Sequence, residues 1–129
     1  MKNKIFLFSL LAIVIAAAGS CKKGDTGGDA TIDAIPMHHS TRIKGATLYI
    51  KFDAKELPAN PTSDYDMKLV GANDEDHILA EGLRYGHYYL YCEGFDSTIM
   101  APVKGGVAVK IKWGQRKDEI DVTVPVTED

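Results

Sequence analysis

The sequence predicts an all-β protein, a single antiparallel β-sandwich, on three observations. Apolar residues recur at every second position in residues 46–52 (ATLYIKF), 87–92 (HYYLYC), 107–113 (VAVKIKW) and 120–126 (IDVTVPV). That is the period of a strand with one buried face. Clusters of Gly, Pro, Asn and Asp separate these runs and supply turns. Beyond residue 21 no stretch sustains the 3.6-residue period of an amphipathic helix. Six or seven short strands in about ninety residues close most readily as two packed sheets.

The chain opens differently. Lys2 and Lys4 precede an apolar run over residues 5–18, and Gly19-Ser20-Cys21 follows. A basic start, an apolar centre and small residues at a cleavage point describe a secretory signal peptide over residues 1–20. The run is shorter than the ~20 residues a membrane-spanning helix needs. Small residues at 18–20 directly before Cys21 resemble the lipobox of bacterial lipoproteins, with Ala18 where an aliphatic residue such as leucine is usual. That resemblance implies a diacylglycerol on the Cys21 sulfur, cleavage just before it, and acyl chains such as palmitate as the anchor. At about 0.8 kcal/mol per buried methylene, two or more chains anchor stably where one does not. Ala18-Gly19-Ser20 also satisfies the small-x-small rule of ordinary signal cleavage, so a plain secreted chain stays open. Lipoproteins held at the inner membrane usually carry an aspartate after the anchor. Lys22 stands there, so the resemblance implies the outer membrane, facing either the periplasm or the exterior.

After the leader, residues 22–34 (KKGDTGGDATIDA) hold three glycines and three aspartates and few bulky apolar groups. Such a segment buries too little surface to offset its ordering entropy, so residues 21–45 are expected to be the lipidated cysteine and a flexible tether. The sandwich is expected over residues 46–129. Its first strand presents Leu48, Ile50 and Phe52 inward. Residues 55–64, with Pro58 and Pro61, form a loop, and 66–70 a shorter strand. A polar turn over 71–76 leads to a strand over 77–83. Residues 84–86 then turn the chain into a strand with Tyr88, Leu90 and Cys92 on one face and His87, Tyr89, Tyr91 and Glu93 on the other. Residues 99–103 carry Pro102 and read as an edge strand before a Lys104-Gly105-Gly106 turn. Val107, Val109, Ile111 and Trp113 are expected inward on the next strand. The last strand points Ile120, Val122, Val124 and Val126 inward, with Pro125, which has no amide to donate, on a sheet edge.

Two stretches resemble the transthyretin-like (prealbumin-like) sandwich, the family that includes carboxypeptidase regulatory domains. One is residues 48–70, a strand, a proline-bearing loop and a second strand. The other is residues 83–90, where Gly86, Tyr88 and Leu90 match a leucine, turn, glycine-x-tyrosine-x-leucine pattern. An immunoglobulin-like sandwich shares this pattern, so the topology stays open between the two. The resemblance implies a binding or scaffolding module more often than an enzyme, and a fold does not by itself give a function.

Composition narrows the classes further. Fifteen basic and eighteen acidic residues give a net charge of −3, and removing the leader with its two lysines makes the remainder more acidic. Nucleic-acid binding needs a concentrated basic face and is not expected. The two cysteines are Cys21 and Cys92. With Cys21 acylated, Cys92 has no partner and reads as a buried apolar residue. No serine stands in a G-x-S-x-G turn, and Cys92 and His87, five residues apart on one strand, fall on opposite faces. No enzyme activity and no cofactor are expected. Met37-His38-His39 offers His38 and His39 as ligands for a soft or borderline ion, a weaker alternative that gives a metal-handling protein. The stronger candidate is the outward aromatic set Tyr49, Tyr89 and Tyr91, a face suited to stacking on a sugar or docking an envelope protein. The expected role is therefore a non-catalytic, lipid-anchored envelope protein acting as a binding or assembly module. A carbohydrate-binding surface lipoprotein is the alternative.

Overall fold

The computed structural model describes residues 24–128. The leader expected over 1–20, and Cys21, lie outside the described residues. Within them the chain forms eight strands: β1 (Thr26–His38), β2 (Thr41–Arg42), β3 (Thr47–Phe52), β4 (Met67–Val70), β5 (Ile78–Leu83), β6 (Gly86–Asp96), β7 (Ala101–Ile111) and β8 (Glu119–Pro125), with a 3-10 turn at Trp113–Gln115 before β8. No helix among the described residues is long and apolar enough to cross a membrane.

The strands make two packed sheets, as the alternation predicts. One has the order β4-β3-β6-β7, antiparallel throughout. The other is built on β1, which pairs antiparallel with β5 and with β2. Its remaining edge pairs with β8, and this pairing is parallel, Thr31 with Glu119 through Met37 with Pro125. Parallel neighbours need a long crossover; here nearly the whole chain serves as one.

The expected tether is the main correction. Residues 26–38 form the central strand of a sheet, and the domain begins by residue 24 instead of 46. The inward positions of β1 are Ala30, Ile32, Ala34, Pro36 and His38, all buried. Small side chains alternate there as a strand requires, with little of the bulk that marks one. Gly28 also stands where any Cβ would collide with the Leu83 carbonyl. Its glycine serves close packing, not flexibility.

A second correction concerns residues 104–106. They do not turn the chain: β7 runs unbroken from Ala101 to Ile111. Gly105 meets the Pro125 carbonyl so closely that a side chain would not fit. Just beyond, Lys104 and Thr127 exchange backbone hydrogen bonds, both 2.9 Å, and tie the edge of one sheet to the end of the other. Pro125 itself lies exposed on β8, whose ladder partner is β1 alone, as an amide-less residue should.

The core lies between the sheets. Ile32 and Leu83 face Leu48, Ile50, Tyr88, Leu90, Cys92 and Ile111, all fully buried. The Tyr88 ring meets Phe52 edge to face, with centroids 5.6 Å apart. Its hydroxyl donates to the Arg84 carbonyl at 2.6 Å and lies 3.1 Å from the Asp25 carbonyl. A buried phenol needs such acceptors. These bonds pin the incoming chain to the turn before β6.

Candidate functional site

Each tyrosine of the proposed aromatic face sits where period two puts it, on the outer face of the β4-β3-β6-β7 sheet. Tyr49 and Tyr91 are direct cross-strand partners, with ring centroids 6.2 Å apart. Tyr89 stands one rung away, opposite Lys51, and is half-buried. Tyr65, from the loop before β4, meets the Tyr49 ring edge-on at 5.2 Å, and the Lys68 ammonium stands 5.6 Å from the centre of that ring. Tyr49 and Tyr91 are consequently only 9% and 8% exposed. The orientation follows the alternation. The open surface expected with it does not, because aromatic rings on neighbouring strands cover one another.

The histidines separate into distinct environments. His38 is the last inward residue of β1, and its Nδ1 lies 2.8 Å from Asp96 Oδ2, with both side chains buried. The Thr98 hydroxyl and backbone amide both donate to Asp96 Oδ1, at 2.6 and 2.9 Å. Thr98 and His38 together hold the Asp96 carboxyl down at about 2. His39 occupies the hairpin turn at a φ of 55°, and its ring lies tilted against that of His38, with centroids 4.4 Å apart. With Nδ1 on Asp96, His38 could meet a metal only through Nε2, and its side chain is 5% exposed, so a pair with His39 has little access to an ion from solvent.

His77 Nδ1 lies 2.9 Å from Asp33 Oδ1 on the outer face of the other sheet. This bond, with the Asp33 charge, raises the His77 pKa above the ordinary histidine value. Parallel pairing sets Asp121 beside Asp33, and Glu119 joins them, with one carboxylate oxygen of each within 4.8 Å of the others. Oxygen donors of this kind suit a hard cation such as calcium or magnesium. The acidic turn over residues 74–76 takes no part in the cluster.

Cys92 is fully buried, and burial pushes its thiol up to about 12. It holds no ready thiolate at neutral pH, and His87 lies on the opposite face of β6. Alternation in 107–113 points Trp113 inward, so nothing in the sequence singles it out. In the structure β7 ends at Ile111 and the 3-10 turn carries Trp113 outside, 61% exposed. It joins Arg84, Tyr85, Arg116 and Lys117 around a cleft of about 200 Å³ where the described chain begins. The signal that would have found it is the turn chemistry of Gly114, which ends the strand alternation early.

No family model, curated protein or solved structure matches this chain.

Proposed function

We propose that this chain is a lipid-anchored protein of a bacterial envelope whose β-sandwich is a non-catalytic binding or assembly module. Residues 18–21, Ala-Gly-Ser-Cys behind an apolar run, carry this reading. Lys22 after the anchor favours the outer membrane. A transthyretin-like sandwich is the fold reading that goes with it: Tyr88 and Leu90, two residues of that resemblance, are fully buried as core residues. The raised Cys92 thiol, facing away from His87, supports a role without nucleophilic chemistry. The glycan alternative draws less support from the tyrosine face, since a sugar stacks on an open ring and Tyr49 and Tyr91 are largely covered.

Cys21→Ser tests the anchor. The mature protein should leave the membrane fraction, or the precursor should accumulate uncut. A Cys21→Ser chain that is processed and partitions like the wild type overturns the lipoprotein reading.

A further inference from the structure

The chain is fixed to the fold very soon after Cys21. The Gly24 amide donates to the Tyr85 carbonyl at 3.0 Å, and the Arg84 amide to the Asp25 carbonyl at 2.8 Å. Three residue steps separate Cys21 from Gly24, and a fully extended chain covers at most ~3.6 Å per step, roughly 11 Å in all. The polar layer on each side of a bilayer is about 5–8 Å deep. An acylated Cys21 therefore cannot hold the sandwich away from the membrane. It draws the end that carries residues 84–86 against the headgroups.

That end has the chemistry of a membrane interface. Trp113, the only tryptophan of the chain, is 61% exposed beside Tyr85, with ring centroids 4.9 Å apart. Trp and Tyr favour the headgroup level, where an apolar ring and a polar edge are both accommodated. The Arg116 guanidinium lies 4.2 Å above the indole ring and donates from Nη1 to the Trp113 carbonyl at 3.0 Å, which fixes a cation at the aromatic pair. Arg84 and Lys117 line the same cleft with one carboxylate, Asp29, while Asp25, Asp53 and Asp66 gather in the adjoining cleft on the other side of Gly24 and leave the cations concentrated on the Trp113 side. Lys22 and Lys23 follow the anchor directly. This basic cluster stands out in a chain of net charge −3. The other exposed apolar cluster, Phe95, Ile99 and Met100, neighbours Asp96, which bonds His38 at the far end of β1. Thr26 and Ala30 both stand opposite Leu83, so β1 advances only from Ala30 to His38, eight steps of ~3.3 Å, and this cluster lies about 26 Å along β1 from Ala30.

We propose that the Trp113–Tyr85 end, with Arg84, Arg116 and Lys117, is a seat for anionic phospholipid headgroups that lays this end of the sandwich on the membrane. The proposal rests on the lipid anchor at Cys21. The cations meet lipid phosphates, the rings enter the interfacial layer, and the β6–β7 hairpin tip is directed away from the bilayer.

The single tryptophan makes the test direct. The mature, lipid-bearing protein is reconstituted into vesicles of phosphatidylcholine, with or without phosphatidylglycerol, and acrylamide quenching of Trp113 is measured. Phosphatidylglycerol should lower the quenching constant about threefold and shift the emission to the blue, and high salt should reverse both. The triple variant Arg84→Glu, Arg116→Glu, Lys117→Glu should lose this response while still floating with the vesicles. Equal quenching in the two lipid compositions overturns the seat, as does a response that survives the charge reversal. The same protection in detergent solution on adding inorganic phosphate or an acidic oligosaccharide also overturns it, in favour of a soluble ligand. The mass of the mature N-terminal peptide separates the two readings. A Cys21 without diacylglycerol overturns anchor and seat together, whereas a lipidated chain with an indifferent Trp113 overturns the seat alone.

Discussion

Two imidazole–carboxylate pairs in this protein share almost the same geometry and differ in their surroundings. His38 meets Asp96 at 2.8 Å and His77 meets Asp33 at 2.9 Å, each through Nδ1. The first joins the two sheets, β1 to β6, with side chains 5% and 2% exposed; the second lies within one sheet, with His77 38% exposed. Water and salt screen the open pair, and holding it in place costs side-chain entropy, so its net contribution is small. The buried pair has no such competitor. Removing either member leaves the other desolvated and short of a partner. Contact distance thus says little about contribution here; burial decides it.

Mutational melts can break or sharpen that contrast, and Tyr88 gives the scale of full burial. Tyr88→Ala should be the largest loss, about 3–5 kcal/mol, since it opens a cavity between the sheets and strands the bonds at Arg84 and Asp25. Urea unfolding measures it, and a loss below ~1 kcal/mol, the scale of an ordinary surface change, would mean the ring is not in the core. His38→Ala should follow at about 1–3 kcal/mol, the cost of an under-satisfied buried group. His77→Ala should move the melting temperature by no more than about 2 °C. Equal effects at the two histidines would remove the distinction drawn from burial.

Titration separates the pairs by pH. The Asp96 carboxyl is held at about 2, below its ordinary value, so its bonds contribute fully above pH ~4 and are lost as pH falls toward 2. Thermal melts between pH 5 and pH 2 should show a steep acid limb, made shallower by His38→Ala. His77 is shifted the other way. Its contribution is complete below the ordinary histidine pKa near 6.5 and fades as pH rises through the raised folded value. The smallest expected effect is thus a slight fall in melting temperature on the alkaline side of neutrality, absent in His77→Gln and suppressed by salt. A fall on the acidic side that His77→Gln removed would contradict the sign.

How much of this was legible in the sequence depended on side-chain bulk. Strands with large inward residues, such as Leu48 and Ile50 in β3 or Tyr88 and Leu90 in β6, declare their period directly. β1 hides its own: two of its inward residues are alanine, another is proline, and glycines precede them. Composition therefore reads it as linker, while pairing on both edges makes it the centre of a sheet. The His38–Asp96 pair was out of reach for a different cause. Its members are 58 residues apart, and only the packing of the sheets brings them together. Trp113 was misplaced because alternation continues in sequence one step past the point where the strand stops. The aromatic face was half legible: period two fixed the direction of Tyr49, Tyr89 and Tyr91, but coverage by Tyr65 depends on where a loop folds back.

The parallel contact between β1 and β8 has a consequence in time. The central strand of one sheet is made first and its edge partner last, so that sheet cannot close until almost the whole chain has been synthesised. Pairings between such distant segments carry a high loop-closure cost and slow folding toward the millisecond-to-second range. For a chain that must pass through an export channel unfolded, as the lipoprotein reading requires, that delay is useful. On that reading, the topology would keep the chain translocation-competent until β8 has crossed.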